Sequence, residues 1–381
     1  MHNTNLSIGQ VSFLLFMILL GNTFATTPIS GVGRDIWLII LLSSVTGLYL
    51  ILAMVTIQRA FPGQSIIQIS EICLGKIAGK TLNLLFITII FYITIIYLSD
   101  LCIVIRTLLP FLTCNLLRPL IMFTAVFCIY KGINSIGRLA ELIMPLILLF
   151  ITANLLVIST TTDFFRIYPL LADWRIIAGG LIDAAGWPYS GIIVIAILLP
   201  FVSDIKQSTR SLYIWYFVGV IIFTVRILLL VATLGIEYLE LSRFPLYSAL
   251  DKTAFANFER VELFFFALWF VFGFMALLIN YLAGILAIKE WFNLADIRSI
   301  ILPAAFFLVV ISLYTYSSDM EFYFLEVTTT PLLALFINIL YPTIILIALK
   351  LRRSKLPSTR ARLNSAPSLA NDKTLGNVKP R

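Results

Sequence analysis

Histidine, charge and paired cysteine are all scarce in this sequence. The single histidine among 381 residues, His2, sits at the N-terminal end. Imidazole-based catalysis and histidine metal sites are therefore not expected. Charged residues make up 12% of the chain, about half the roughly 25% of a soluble domain. The four cysteines, Cys73, Cys102, Cys114 and Cys128, form no CxxC pair and lie in or beside apolar runs. Neither a disulfide framework nor a metal site is expected from them. GxSxG, Walker, HExxH and paired-carboxylate signatures are also missing, so the reading is of a protein that is not an enzyme and carries no cofactor.

What remains is apolar. Hydrophobic residues make up 60% and the mean hydropathy is +1.02. A chain of this size has too little core to bury so much apolar surface, so the bilayer must act as solvent, and in a bilayer helices satisfy their own backbone. The expected architecture is all-α and polytopic, with about ten transmembrane helices. They fall at Ile8 to Ser30, Ile36 to Gln58, Thr81 to Ile105, Leu117 to Tyr130, Leu139 to Ser159, Gly180 to Phe201, Tyr213 to Gly235, Val261 to Ile288, Ser299 to Ser317 and Thr330 to Leu349. Met1 to Ser7 has no Lys or Arg, so the first run reads as a retained span rather than a signal peptide. Ser65 to Lys76, with Ile66, Ile69, Cys73 and Ile77 spaced along one face, reads as a helix lying in the cytoplasmic interface.

From Lys350 onward, nine basic residues against one acid carry the whole formal charge of +8. This tail has no aromatic residue to stack on bases, so nucleic acid is not an expected partner, whereas anionic lipid is. Residues 1–351 read as one transmembrane permease-like domain and 352–381 as a disordered basic cytoplasmic tail. With the N-terminus in the cytoplasm, eighteen basic residues fall on the cytoplasmic side and eight on the other, while Glu326, Asp319 and Glu321 fall outside. The basic-residue bias favours cytoplasmic termini.

Two spans carry helix breakers in their middles. The first contains Gly21-Asn22-Thr23-Phe24-Ala25-Thr26-Thr27-Pro28 and the sixth Gly186-Trp187-Pro188-Tyr189-Ser190-Gly191. A lipid-facing helix cannot leave backbone unpaired, so each break is either a packed proline kink or backbone that lines a cavity. Positions one and six of ten suit two five-helix repeats in inverted orientation. Free N–H groups at one half-helix end and free carbonyls at the other would suit the two ends of a zwitterionic amino acid. Among ionisable residues in spans, Asp100 could pair with Arg226 or Arg106, either structurally or for function. Tyr92 and Tyr97 could offer hydroxyls from the third span.

The segments LSIGQ (6–10), LLGNTFATTP (19–28), GRDIWL (33–38), FPGQSIIQISEICLGKIAGK (61–80), YKGINSIGRLAELIMP (130–145), LLPFVSDIKQS (198–208), LGIEYL and FPLYSAL, in this order and spacing, resemble the B subunit of endospore germinant receptors. That family is itself similar to the amino acid/polyamine/organocation permeases. The resemblance implies a LeuT-like 5+5 inverted repeat with helices one and six broken. It implies partner A and C subunits, a multi-pass protein of the spore inner membrane, and a small-molecule germinant, usually an amino acid. Carried over, the ligand-binding residues would be Gly21, Thr23 and Thr26 in span one and Tyr92 and Ile93 in span three. Span six would add Trp187, Tyr189, Ser190 and Gly191, and span eight Gly273 and Leu277.

Two functions share this fold, a germinant sensor and a proton-coupled secondary amino acid transporter. Glu262 to Phe292 contains no Ser or Thr, so a sodium site on span eight would lack its usual hydroxyl ligands. The residues around the breaks, with Ile89, Ile93 and Ile96 facing them, carry no charge. A small neutral amino acid such as alanine or valine is the expected ligand, with an uncharged sugar or nucleoside as the other candidate.

Overall fold

The computed structural model describes residues 6–21, 31–168, 174–202, 209–252 and 262–353. Among these, seven helical stretches are long and apolar enough to cross a membrane: Gly33–Ala60, Lys76–Leu108, Ile133–Ser159, Trp174–Phe201, Arg210–Leu234, Phe266–Phe292 and Asp319–Arg352. Three shorter apolar helices, Ile8–Gly21, Cys114–Tyr130 and Arg298–Tyr314, complete the expected order of ten. The protein is a polytopic α-helical membrane protein. The break expected in the first span, with Thr23 and Thr26, lies outside the described residues, as do residues 354–381 of the expected tail.

Burial separates inner spans from outer ones. The eighth span is 83% buried in its most apolar window and the third 78%, against 28% for the fifth. Large side chains such as Phe123, Leu142, Leu149 and Phe306 point outward, as residues solvated by lipid tails do. The third and eighth spans pack along each other, and the first lies against the eighth. Small residues permit the close approaches. A Cβ on Gly21 would stand 2.9 Å from the Phe272 carbonyl oxygen and 3.0 Å from the Ala276 Cβ. One on Gly284 would meet the Phe91 ring at 2.7 Å.

The interface helix runs over Ile66–Leu74, with Ile66, Ile69 and Cys73 buried. Ile77 belongs instead to the third span and is exposed. A capping box starts the helix: the Ser65 hydroxyl accepts from the Gln68 N–H, and the Gln68 side chain accepts from the Ser65 N–H. Gly75, at φ +89°, turns the chain into the third span. Gly79 then lies so close to Glu71 that a Cβ would sit 2.6 Å from its Cα.

The tenth span begins eleven residues earlier than its apolar run, at Asp319. The Ser318 hydroxyl caps it by accepting from the Glu321 N–H at 3.2 Å, and the Glu321 carboxylate accepts from the Ser317 N–H at 2.7 Å. Two wide π turns, Leu325–Thr329 and Phe336–Leu340, interrupt it. Each ends two residues before a proline, Pro331 or Pro342. A proline offers no N–H and crowds the carbonyl four residues back, so the preceding turn loosens.

Candidate ligand site at the interrupted sixth helix

The sixth span is broken where its sequence dictates. An α-helix runs over Trp174–Gly186, and the chain then leaves helical geometry at Trp187, Pro188 and Tyr189. Pro188 disfavours helical backbone at the residue before it and supplies no N–H. The chain resumes as a 3-10 turn over Ser190–Val194. Gly186 closes the first half against the tenth span, where a Cβ would lie 2.5 Å from the Pro331 carbonyl oxygen. Asn338 donates to the Gly186 carbonyl at 3.1 Å and so satisfies one of the helix-end acceptors.

The break sends its two aromatic side chains in different directions. Trp187 is buried in a small cluster with Ile96 and Ile103 of the third span and Phe322 of the tenth, bordered by Tyr92 and Tyr316. Tyr189 belongs to the main core. Its hydroxyl donates to the Ile40 carbonyl at 2.8 Å, and its ring lies 6.3 Å from that of Tyr216. Tyr92 and Thr330 share a hydroxyl hydrogen bond of 3.2 Å between the third and tenth spans.

The structure therefore brings together Tyr92, Trp187 and Ile96 from the expected set. Ile93 is fully buried in the main core. Gly21 abuts Phe272 and Ala276, Gly273 faces Leu101 with a would-be Cβ contact of 3.1 Å, and Leu277 is fully buried beside them. These three belong to the packing of the eighth span against the first and third. Gly191 is buried in the 3-10 turn, while the Ser190 side chain lies outside the described residues.

One residue of this region was assigned to the wrong place. Glu326 is not in an outer loop. It lies within the tenth span on the first π turn, at 5% exposure. Its carboxylate is within electrostatic reach of the Tyr92 and Tyr97 hydroxyls. The overlooked signal is the sequence Ser318-Asp319-Met320-Glu321 followed by Phe322, a capping box leading into an apolar run.

The rim beyond the cluster is charged and cross-linked. Arg106 pairs with Asp319 at 2.5 Å, and Arg243 approaches the same carboxylate at 3.7 Å. The Arg243 charge acts on Asp100, an arginine not among those expected for it. The Arg118 guanidinium lies 5.1 Å from the centre of the Tyr316 ring and bonds its hydroxyl. The cysteine reading is also corrected: Cys102 and Cys114 form a disulfide, with Cα atoms 5.5 Å apart. Cys102 is near the end of the third span and Cys114 opens the fourth, so the tight hairpin between them brings the two together without any CxxC spacing.

A family profile described as "Spore germination protein" matches residues 5–320. The chain belongs to that family. Spore germination protein KB of Bacillus subtilis (strain 168) is 22% identical over 322 residues, covering 82% of this chain and 86% of that protein. Spore germination protein B2 of the same organism is 22% identical over 362 residues, covering 87% of this chain and 95% of that one. Among solved structures, MhsT in complex with L-phenylalanine superposes with a TM-score of 0.63 at 15% identity, covering 91% of this chain and 99% of that chain. The resemblance to germinant receptor B subunits therefore holds, and so does the LeuT-like fold. The chain is a permease-like membrane protein of spore germination and not an enzyme.

Proposed function

We propose that the chain is the germinant-sensing membrane subunit of a spore germination receptor and binds a small neutral amino acid at the interrupted sixth helix. The observation that carries this reading is the meeting of Trp187, freed by the break, with Tyr92 and Ile96 of the third span. An aromatic and aliphatic wall beside non-helical backbone suits a small side chain on a polar α-carbon unit. Thr23, Thr26, Ser190 and Gly191 belong to the same proposal by position, and Gly21, Gly273 and Leu277 would support its floor. The resemblance to germinant receptor B subunits implies A and C subunits as partners and the spore inner membrane as location, and the relatives named for germination support membership of such a receptor.

Titrating the full-length protein in lipid nanodiscs with alanine, valine, glutamate, lysine, glucose and inosine tests the reading. Alanine or valine binding that Trp187→Ala weakens at least tenfold supports it. Binding of glutamate alone, or of no amino acid, overturns it. The second reading, proton-coupled amino acid transport, draws on the transporter-like fold over nearly the whole chain. Uptake of labelled alanine into proteoliposomes under a proton gradient would establish transport; binding without uptake favours sensing.

A further inference from the structure

A groove of about 900 Å³ runs between the third and ninth spans and ends beside the last turn of the eighth. Leu84, Thr88, Phe91 and Ile95 line it from one face of the third span, and Pro303 and Phe307 from the ninth. Ile95 is buried in its floor, while Leu84, Thr88 and Phe307 are exposed at its rim. From Ile300 to Thr315 the ninth-span wall is about 22 Å long at about 1.5 Å per residue. That is most of the roughly 30 Å hydrocarbon core of a bilayer.

Every polar side chain on the wall is already bonded within the protein. The Thr88 hydroxyl donates to the Leu84 carbonyl at 2.9 Å and the Thr315 hydroxyl to the Ile311 carbonyl at 2.9 Å. Tyr92 shares its hydrogen bond with Thr330, and the Trp291 indole N–H donates to the Lys80 carbonyl at 3.0 Å. The wall therefore offers nothing to a polar solute and suits hydrocarbon. A partner helix fits it poorly. Helices associate in bilayers through small residues or interhelical hydrogen bonds, and this wall is mainly Phe, Leu and Ile. A whole helix of that length, about 10–12 Å across, would also need roughly twice the volume.

One end of the groove is charged. Lys80 lies one turn before Leu84 on the same face of the third span. Its half-buried ammonium stands 5.4 Å from the centre of the Trp291 ring and makes no ion pair among the described residues. The neighbouring acid, Glu290, accepts from the Gln68 side chain and pairs with Lys289 at 3.9 Å. A lysine and a tryptophan at the mouth of an apolar groove are the pair that membrane proteins place at the level of lipid headgroups.

We infer that this groove is a binding site for an anionic phospholipid of the surrounding bilayer, with an acyl chain laid between the third and ninth spans and the headgroup phosphate at Lys80. A zwitterionic lipid fills the same groove less well, because its headgroup brings a cation of its own beside the lysine. Tyr92 belongs both to this wall and to the border of the Trp187 cluster. The inference stands on the groove alone and does not depend on the germinant reading.

The test is native mass spectrometry of the full-length protein released from bilayers of equal phosphatidylglycerol and phosphatidylcholine. The wild type is expected to retain phosphatidylglycerol about fivefold over phosphatidylcholine, the worth of one basic residue beside an anionic headgroup. This comparison needs no variant to fold. Lys80→Gln should bring the preference within twofold. Thr88→Trp, which fills the groove from an exposed position, should lower retention of both lipids at least fivefold, and Leu84→Trp should do the same. Lys131→Gln is the matched control, because its ammonium stands 5.0 Å from the Phe127 ring and away from the groove. Equal retention of the two lipids by the wild type, an equal loss in Lys131→Gln, or unchanged retention in both groove-filling variants overturns the inference. So does a lipid-free dimer that Thr88→Trp splits, since a second copy would then be the occupant. No germinant enters the experiment, so each of these results leaves the proposed function standing.

Discussion

Two buried polar regions of this protein are built on opposite terms. Where the helix Ile66–Leu74 meets the third span, Asn83 is fully buried and its amide is used on both sides. Its Nδ2 donates to the Ile67 carbonyl at 2.9 Å, and its Oδ1 accepts from the Ser70 hydroxyl at 2.6 Å and the Tyr341 hydroxyl at 3.0 Å. The Tyr341 ring stacks on Phe86 at 4.3 Å. Interface helix, third span and tenth span are thus tied at one point. Nearer the interrupted helix, on the same third span, Tyr97 and Ser99 are equally buried, yet their hydroxyls have no partner among the described residues. A satisfied network rigidifies and specifies packing, whereas an unsatisfied one is retained only where something else completes it. The Asn83 region holds the fold, and under the proposed function the region beside the break is the one that a ligand completes.

The largest effect should come from breaking the closed network. Asn83→Ala leaves the Tyr341 hydroxyl without its partner and removes one bond each from the Ser70 hydroxyl and the Ile67 carbonyl, which keep their bond to each other at 2.8 Å. A buried hydroxyl left unpaired costs roughly 1–3 kcal/mol, and the two lost bonds and the space left by the side chain add to it, so a loss of about 4 kcal/mol is expected, read as a lower melting temperature in detergent. Alanine affinity at low temperature should stay within threefold. A variant that melts normally but fails to bind would reverse the roles of the two regions.

The region beside the break has the Tyr92–Thr330 hydrogen bond, and the rim adds further ties. Arg106, Asp319 and Arg243 form ion pairs there, and the Cys102–Cys114 disulfide closes the hairpin between the third and fourth spans. A bridge spanning twelve residues contributes about 3 kcal/mol. The double substitution Cys102→Ser with Cys114→Ser should therefore lower stability by about that amount. Hydrogen exchange should rise where this hairpin joins the third and fourth spans and not around Asn83. Uniform loosening of both ends would show that the two regions are not independent.

Gly21→Leu separates packing from ligand binding less cleanly and is expected to cost less stability. Its side chain would press on the Phe272 carbonyl, where even a Cβ stands at 2.9 Å. Overpacking of this kind costs about 2 kcal/mol. Because the eighth span must yield, the ligand response should be lost while the protein still inserts in the membrane. A normal response at normal protein level would remove the end of the first span from the site.

Much of this fold is legible in the sequence, because the bilayer imposes a strict rule. Runs of apolar residues must be helices, and Gly186-Trp187-Pro188 in the middle of one must break it. Packing direction is not legible in the same way. Nothing in the order Trp187-Pro188-Tyr189 tells that one ring turns toward Ile96 and the other toward Ile40. Glu326 was misplaced because hydropathy marks a span by its most apolar stretch, and the tenth span starts with a capped, half-polar turn instead. The Cys102–Cys114 bridge depends on how sharply the third span turns into the fourth, a tertiary property that residue spacing does not encode.

The smallest effect on stability is the sharpest test of the comparison. Tyr97→Phe removes one hydroxyl and leaves the ring that packs in the core. In the closed network such a change would strand its partners. Here no described group bonds the hydroxyl, so nothing is stranded and the unpaired oxygen is no longer buried. The change in stability should be less than about 1 kcal/mol and could fall on the stabilising side. Ligand affinity should move the other way. If the hydroxyl is kept for a ligand at the proposed site, its loss should weaken alanine binding about threefold to tenfold, the worth of one hydrogen bond in a closed site. Isothermal titration of Tyr97→Phe beside its melting curve reads both quantities on one preparation. Unchanged affinity with raised stability would mean that the hydroxyl is a packing cost alone, and the contrast between the two regions would then concern folding and not recognition.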